Sequence, residues 1–164
     1  MNEIKLPTDC IAVGIGQWKV VRSPTGLRAI LGSCVGVVIF DPASKIAGMA
    51  HILLPDSRGS TEHPGRYADT AIPAMMSELQ RARGGIARNG LAAKLAGGAK
   101  MFDTQGVMAI GDANYRAVRA QLDALKIPIL SDDIGGETGR NVTFDTASGR
   151  FFVKRPGGKL YEVQ

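Results

Sequence analysis

A chain of 164 residues, 45% apolar and 21% charged, has the length and composition of one ordinary globular domain spanning residues 1–164, and the disordered and disulfide-rich classes are excluded. Its net charge of +5 suits an acidic partner, but the densest basic stretch, Arg81 to Arg88, lacks interleaved aromatics and reads as a solvated helix end rather than a nucleic-acid surface. No apolar run reaches the roughly 18 residues of a membrane-spanning helix. The start MNEIKLPTDC lacks the regions of a signal peptide, and the two cysteines, Cys10 and Cys34, are too few for an all-cysteine zinc site. The expectation is a cytoplasmic protein without membrane insertion, with free thiols and no metal.

In chain order, residues 10 to 21 (CIAVGIGQWKVV) and 26 to 31 (GLRAIL) read as strands separated by a turn over residues 22–25. VGVVIF (35 to 40) and IAGMAHILLP (46 to 55) are apolar throughout and are expected to form a core hairpin. A polar loop (56 to 66) leads to a helix over about residues 70–83. There Ile72, Met75, Met76 and Leu79 form the apolar stripe, Asp69 is the candidate cap, and Pro73 requires a place in the first turn. The Met pair reads as core packing. A short apolar segment (91 to 96) and a Gly97-Gly98 break precede a second helix over about 112–126 carrying Tyr115, Val118, Leu122 and Leu125. Strands are expected at 127–132, 141–145 and 150–155. With no regular strand and helix alternation, the fold class is α/β: a single-domain sandwich of mixed, largely antiparallel sheet with helices packed on it.

The chemistry-bearing pattern is Leu31-Gly-Ser-Cys34 running into one strand of the hairpin while His51 lies in the other. With a four-residue loop Asp41-Pro-Ala-Ser44, Phe40 pairs Lys45, Gly36 faces Met49, and Cys34 lies directly opposite His51. Cysteine catalysis needs such a neighbour, because the thiolate is the reactive species and an adjacent imidazole can form a thiolate/imidazolium pair with it. Gly32 and Ser33, ahead of the nucleophile, are candidate oxyanion or positioning residues, with the backbone N–H of Cys34 or a neighbour as donor. The competing reading is an inert buried thiol beside a run of valines and a core histidine. Cys10 is assigned to packing and His63 to solvent. The group that orients His51 is not named by the sequence; a backbone carbonyl serves as well as a side chain.

Through LGSCVGVVIFDP (31–42), GMAHILLPDS (48–57), GRYADTAI (65–72), KLAGGAKMF (94–102), IGDANYRAV (110–118) and GGETGRNVTFDTASG (135–149), together with the early Gly14-Ile-Gly16, the chain resembles the chemoreceptor glutamine deamidase (CheD) family. The resemblance implies an α/β sandwich that converts receptor glutamines to glutamates with release of ammonia, with Cys34 as nucleophile and His51 as base and no cofactor. It implies as partners the cytoplasmic domains of chemoreceptors and the CheC phosphatase, with Phe102 as a candidate contact for the phosphatase. A threonine often found ahead of the GSC in that family is not matched, since Arg28 or Ala29 stands there. A weakly active or non-catalytic member that binds and regulates the phosphatase is the alternative, and a Cys/His hydrolase of unrelated substrate is a third.

Overall fold

The computed structural model describes residues 3–85, 89–101 and 110–164. In chain order the elements are β1 (Cys10–Ala12), β2 (Trp18–Arg22), β3 (Gly26–Leu31), β4 (Val35–Asp41), β5 (Ile46–Ile52), a 3₁₀ turn at Pro64–Arg66, α1 (Ala68–Ala82), β6 (Ala92–Gly97), α2 (Ile110–Ala124), β7 (Ile129–Ile134), β8 (Arg140–Asp145), β9 (Arg150–Lys154) and β10 (Tyr161–Glu162). They make two five-stranded sheets, ordered β1-β3-β8-β9-β10 and β2-β5-β4-β6-β7. Each sheet has one parallel pair, β1 with β3 and β6 with β7, among otherwise antiparallel neighbours.

The second sheet is the middle layer. Val35, Val37, Ile39, Ala50 and Ile52 pack under α1 and α2 on one face. Val38, Phe40, Ala47, Met49 and Ala96 meet Leu27, Leu31, Val142 and Phe144 of the first sheet on the other. Buried on both faces, β4 and β5 are apolar almost throughout, as strands covered on both sides must be. Strand β3 instead alternates buried and exposed residues beyond Leu27, and β8 alternates throughout, because only one face of their sheet is covered. The α/β sandwich expected from the sequence is this three-layer arrangement. Met75 and Met76 are buried in it as expected.

Several local expectations are corrected. The single strand expected over 10–21 is two strands in different sheets, since β1 joins β3 while β2 joins β5. Residues between them carry the chain across the sandwich, with Gly16 at φ 75° in the crossing. The segment at 91–96 is a full strand, β6, inserted beside β4. Asp69 does not cap its helix. The helix starts at Ala68, two residues before the expected start, with Tyr67 at its N-cap, and Asp69 accepts from the backbone N–H and hydroxyl of Ser57 at 2.9 and 2.8 Å, closing the preceding loop. Pro73 stands in the second turn of α1 on an exposed position, where the missing N–H removes one helical bond.

The hairpin register also moves. Asp41 pairs Ile46 and Gly36 pairs His51, so the four-residue loop is 42–45 rather than 41–44. Asp41 holds it closed by accepting from Ala43 N–H and the Ser44 hydroxyl at 3.0 and 2.7 Å, with Lys45 at φ 57°. Asp41 has a further partner 42 residues away. Arg83, at the end of α1, donates from Nε to Asp41 at 2.9 Å, with both side chains under a tenth exposed. Burial opposes ionisation of Asp41, but hydrogen bonds from Ser44 and Arg83 outweigh it and hold the carboxyl below its ordinary pKa. Arg83 is therefore buried and paired, not part of a solvated helix end.

Removing one member of a buried pair leaves the other charge stranded. Asp41→Ala should lower the unfolding free energy by about 3 kcal/mol in urea denaturation. A change near zero would show that the pair does not hold the hairpin.

Candidate active site

The register shift keeps Cys34 and His51 on one face, because a change of two in the paired sum preserves the alternation of side chains. Cys34 precedes β4, two residues before Gly36, which is the direct partner of His51. The expected head-on pairing is thus a diagonal one, at roughly 7–8 Å between backbone positions. Opposite His51 stands a glycine, and the space a Cβ would take there is filled by the Leu31 side chain. Cys34 belongs to the core cluster between the sheets and is 6% exposed, and His51 is 2% exposed.

The crossing segment between β1 and β2 grips His51 at three points. Its Nδ1 lies 2.9 Å from the Val13 carbonyl, its backbone N–H donates to Gln17 O at 2.9 Å, and its carbonyl accepts from Gly16 N–H at 3.0 Å. A carbonyl only accepts, so Nδ1 carries the proton. The other nitrogen, Nε2, is then the basic one. It is buried and has no hydrogen-bond partner among the described residues. The orienting group is therefore a backbone carbonyl. Neither Arg28 nor Ala29, the places where the resemblance sets a threonine, supplies a hydroxyl. Thr143, paired across the strands with Arg28, does bring one into the same cleft.

That cleft, about 570 Å³, is lined by Val13, Gly14, Ile15, Arg28, Ala29 and His51 among others, but not by Cys34. His51 is the shared element. It reaches the cleft on one side and shares the face of Cys34 on the other.

Burial sets the charge state. It pushes the Cys34 thiol above its ordinary pKa. It also pushes His51 below its ordinary value, with the Val13 carbonyl partly opposing. Burial thus favours a neutral thiol and a neutral imidazole and opposes the thiolate/imidazolium pair expected from the sequence.

The backbone ahead of Cys34 is fixed carbonyl by carbonyl. Gly32 O accepts from Ala99 N–H at 2.9 Å and Cys34 O from Gly98 N–H at 2.8 Å. Ser33 O accepts from the side chain of Asn114 on α2 at 3.2 Å. Gly97 stands at φ 106°, and a Cβ there would overlap the Cys34 carbonyl oxygen, so only glycine lets β6 pass this close. Gly32 and Ser33 stand in this anchored turn, whereas Phe102 lies outside the described residues. His63 is exposed, and Cys10 is half-buried against the Pro7 carbonyl at 3.8 Å. Among the described residues no group of three or more His, Cys, Asp or Glu side chains is disposed to hold a metal ion.

Sequence reasoning missed Val13 and Asn114. A backbone carbonyl leaves no mark in a sequence. Asn114 does leave one, since it falls on the buried stripe Asn114, Val118 and Leu122 of α2, where a polar residue is out of place.

With this geometry in view, the comparison with known proteins is informative. The family described as CheD chemotactic sensory transduction matches residues 53–155. The chain belongs to the CheD family. It is 42% identical over 147 residues to the chemoreceptor glutamine deamidase CheD of Thermotoga maritima, covering 89% of this chain and 92% of that one. It is 45% identical over 156 residues to a "Probable chemoreceptor glutamine deamidase CheD" of Desulforamulus reducens, covering 92% and 93%. A protein with the same description from Clostridium botulinum strain Hall is 40% identical over 159 residues, covering 93% and 97%. The family match begins just beyond His51 and does not include Cys34 or His51.

The neutral histidine gives a testable stability signature. A base whose folded pKa is depressed contributes stability that is fully present above its unfolded pKa of about 6.5 and declines as pH falls toward the folded value. Urea unfolding between about pH 5 and pH 8 should show wild-type stability falling toward the acid end, with the slope reduced in His51→Gln. Identical slopes in the two proteins would contradict a buried, neutral His51.

Proposed function

We propose that this protein is a chemoreceptor glutamine deamidase in which Cys34 is the nucleophile and His51 the general base and acid. The observation that carries the chemistry is the free, buried Nε2 of His51 on the face it shares with Cys34, its ring locked through Nδ1 to the Val13 carbonyl. The relatives named for this activity supply the substrate class.

In the first step Nε2 takes the Cys34 proton as the sulfur attacks the carboxamide carbon of a receptor glutamine, forming a C–S bond and a tetrahedral oxyanion. The Cys34 N–H is the donor proposed for that oxygen. The C–N bond then breaks, the imidazolium gives its proton to the departing nitrogen, and ammonia leaves a thioester. Water, deprotonated by Nε2, attacks that thioester. The C–S bond breaks, the glutamate side chain is released, and the sulfur recovers its proton. No step calls on a cofactor.

Two further features support the reading. The exposed Arg28 and the overall charge of +5 suit the acidic cytoplasmic domain of a receptor. No helix is long and apolar enough to cross a membrane among the described residues, in keeping with a cytoplasmic place of action. The CheC phosphatase is the second partner proposed. Its complex with this protein should survive Cys34→Ala, and lack of association in sedimentation would remove it.

Cys34→Ala should fold and fail to convert receptor glutamines, read as the mass shift from amide to acid on receptor cytoplasmic domains. Conversion at the wild-type rate would sink the assignment. A separate experiment reads the charge state. In a Cys10→Ser background without substrate, alkylation of Cys34 by iodoacetamide should be slow near neutrality and rise with pH, with an apparent pKa above that of an ordinary thiol. Fast, pH-independent alkylation from pH about 6 upward would reveal a resting thiolate instead.

A further inference from the structure

Asn114 is fully buried, at 0% exposure. Its side-chain nitrogen donates to two backbone carbonyls from distant parts of the chain, Ser33 O at 3.2 Å and Leu53 O at 3.0 Å. Ser33 immediately precedes Cys34, and Leu53 lies two residues beyond His51. Both partners are acceptors, so only the NH2 end of the amide can face them, and the orientation of the group is fixed by chemistry. The opposite atom, Oδ1, is buried and has no partner among the described residues. An apolar side chain on this stripe of α2 would avoid that unsatisfied oxygen, so helix packing alone does not call for an amide here.

Close approach makes the contact possible. A Cβ at Gly111 would overlap the Gly98 carbonyl, so the first turn of α2 lies directly on the same Gly98-Ala99 backbone that holds Gly32 and Cys34. One turn further on, Asn114 reaches the gap between β4 and β5 at their active-site ends.

Resting on the Cys34/His51 reading, we infer that Asn114 is a positioning residue that ties the peptide ahead of the nucleophile to the backbone beyond the base. It acts on two variables. It fixes the two strand ends against each other and so sets the separation of sulfur and imidazole. It also sets the Ser33–Cys34 peptide plane. That peptide is trans, so turning the Ser33 carbonyl toward α2 turns the Cys34 N–H away from it. The face of the sheet opposite the helices is the one that carries His51. The Cys34 N–H donates to no backbone acceptor among the described residues, and this orientation leaves it for the oxyanion.

The test uses the full-length protein acting on a receptor cytoplasmic domain, with Asn114→Leu, Asn114→Asp and Cys34→Ala. The first variant removes both donors at similar volume. The second keeps the shape but sets acceptor oxygens against two carbonyls. Assays are run at a temperature where circular dichroism shows each variant native. A positioning role predicts that kcat falls on the order of tenfold or more in both Asn114 variants while KM stays within about twofold, since misplacement of reacting groups costs rate rather than binding. In Asn114→Asp the loss should deepen with rising pH, because the protonated carboxyl can still donate one bond and the ionised one cannot. A purely structural role predicts a lower unfolding temperature with wild-type kcat per folded molecule and no new pH dependence, and that result overturns the inference. Should Asn114→Leu not fold, the pH profile of Asn114→Asp decides alone. If Cys34→Ala itself retains activity, the underlying site reading fails instead, and the two failures are told apart.

Discussion

Three consecutive backbone carbonyls, those of Gly32, Ser33 and Cys34, are each tied to a different anchor, and the active-site half of the molecule is arranged around that constraint. Ala99 and Gly98 hold the outer two from the segment just beyond β6, and Asn114 holds the middle one from α2. In the turn that leads Cys34 into its buried strand, Gly32 and Ser33 are half-buried, and each of the three carbonyls has a partner within the protein. The sequence on the other side pays for this in glycines. Gly97 needs its positive φ and its bare Cα to pass Cys34, and Gly111 lets α2 descend onto Gly98. The Gly97-Gly98 break, which looks like a simple turn in the sequence, is thus part of the nucleophile's support.

His51 is held by an independent device. The crossing from β1 to β2 wraps its backbone and ring with three hydrogen bonds, and this is why the first apolar stretch divides between the two sheets. Fixing one tautomer through a carbonyl leaves Nε2 basic without adding a negative charge beside it. The same environment raises the thiol pKa and lowers that of the imidazole. On the proposed mechanism, proton transfer between them would be coupled to attack on the substrate rather than stored as a resting thiolate. Such an environment protects a thiol from adventitious oxidation, because oxidation follows thiolate character and exposure.

Much of the candidate site was legible because it depends on local pattern. Two apolar runs joined by Asp-Pro-Ala-Ser-Lys can scarcely be anything but a hairpin, and the alternation rule places Cys34 and His51 on one face whichever even shift the turn adopts. What stayed hidden was set at long range. Asp41, at the start of the hairpin turn, pairs with Arg83 across 42 residues, and the group that orients His51 is a carbonyl at Val13. The strand at 92–97 reads as a short apolar segment because its Ala and Gly residues carry little strand propensity, and its pairing with β4 and β7 supplies what propensity does not. Asn114 was visible as a polar residue on an apolar stripe, but its meaning required knowing that Ser33 and Leu53 meet there.

The central claim is that turnover passes through a thioester on Cys34, and trapping that intermediate tests it most directly. Rapid acid quench of the protein during turnover of a receptor cytoplasmic domain, followed by peptide mapping by mass spectrometry, should place a receptor-derived acyl group on the peptide containing Cys34. The adduct should be absent when the receptor glutamines are replaced by alanine. Product formation with no acyl group on Cys34, or with the adduct on Cys10, would contradict the account.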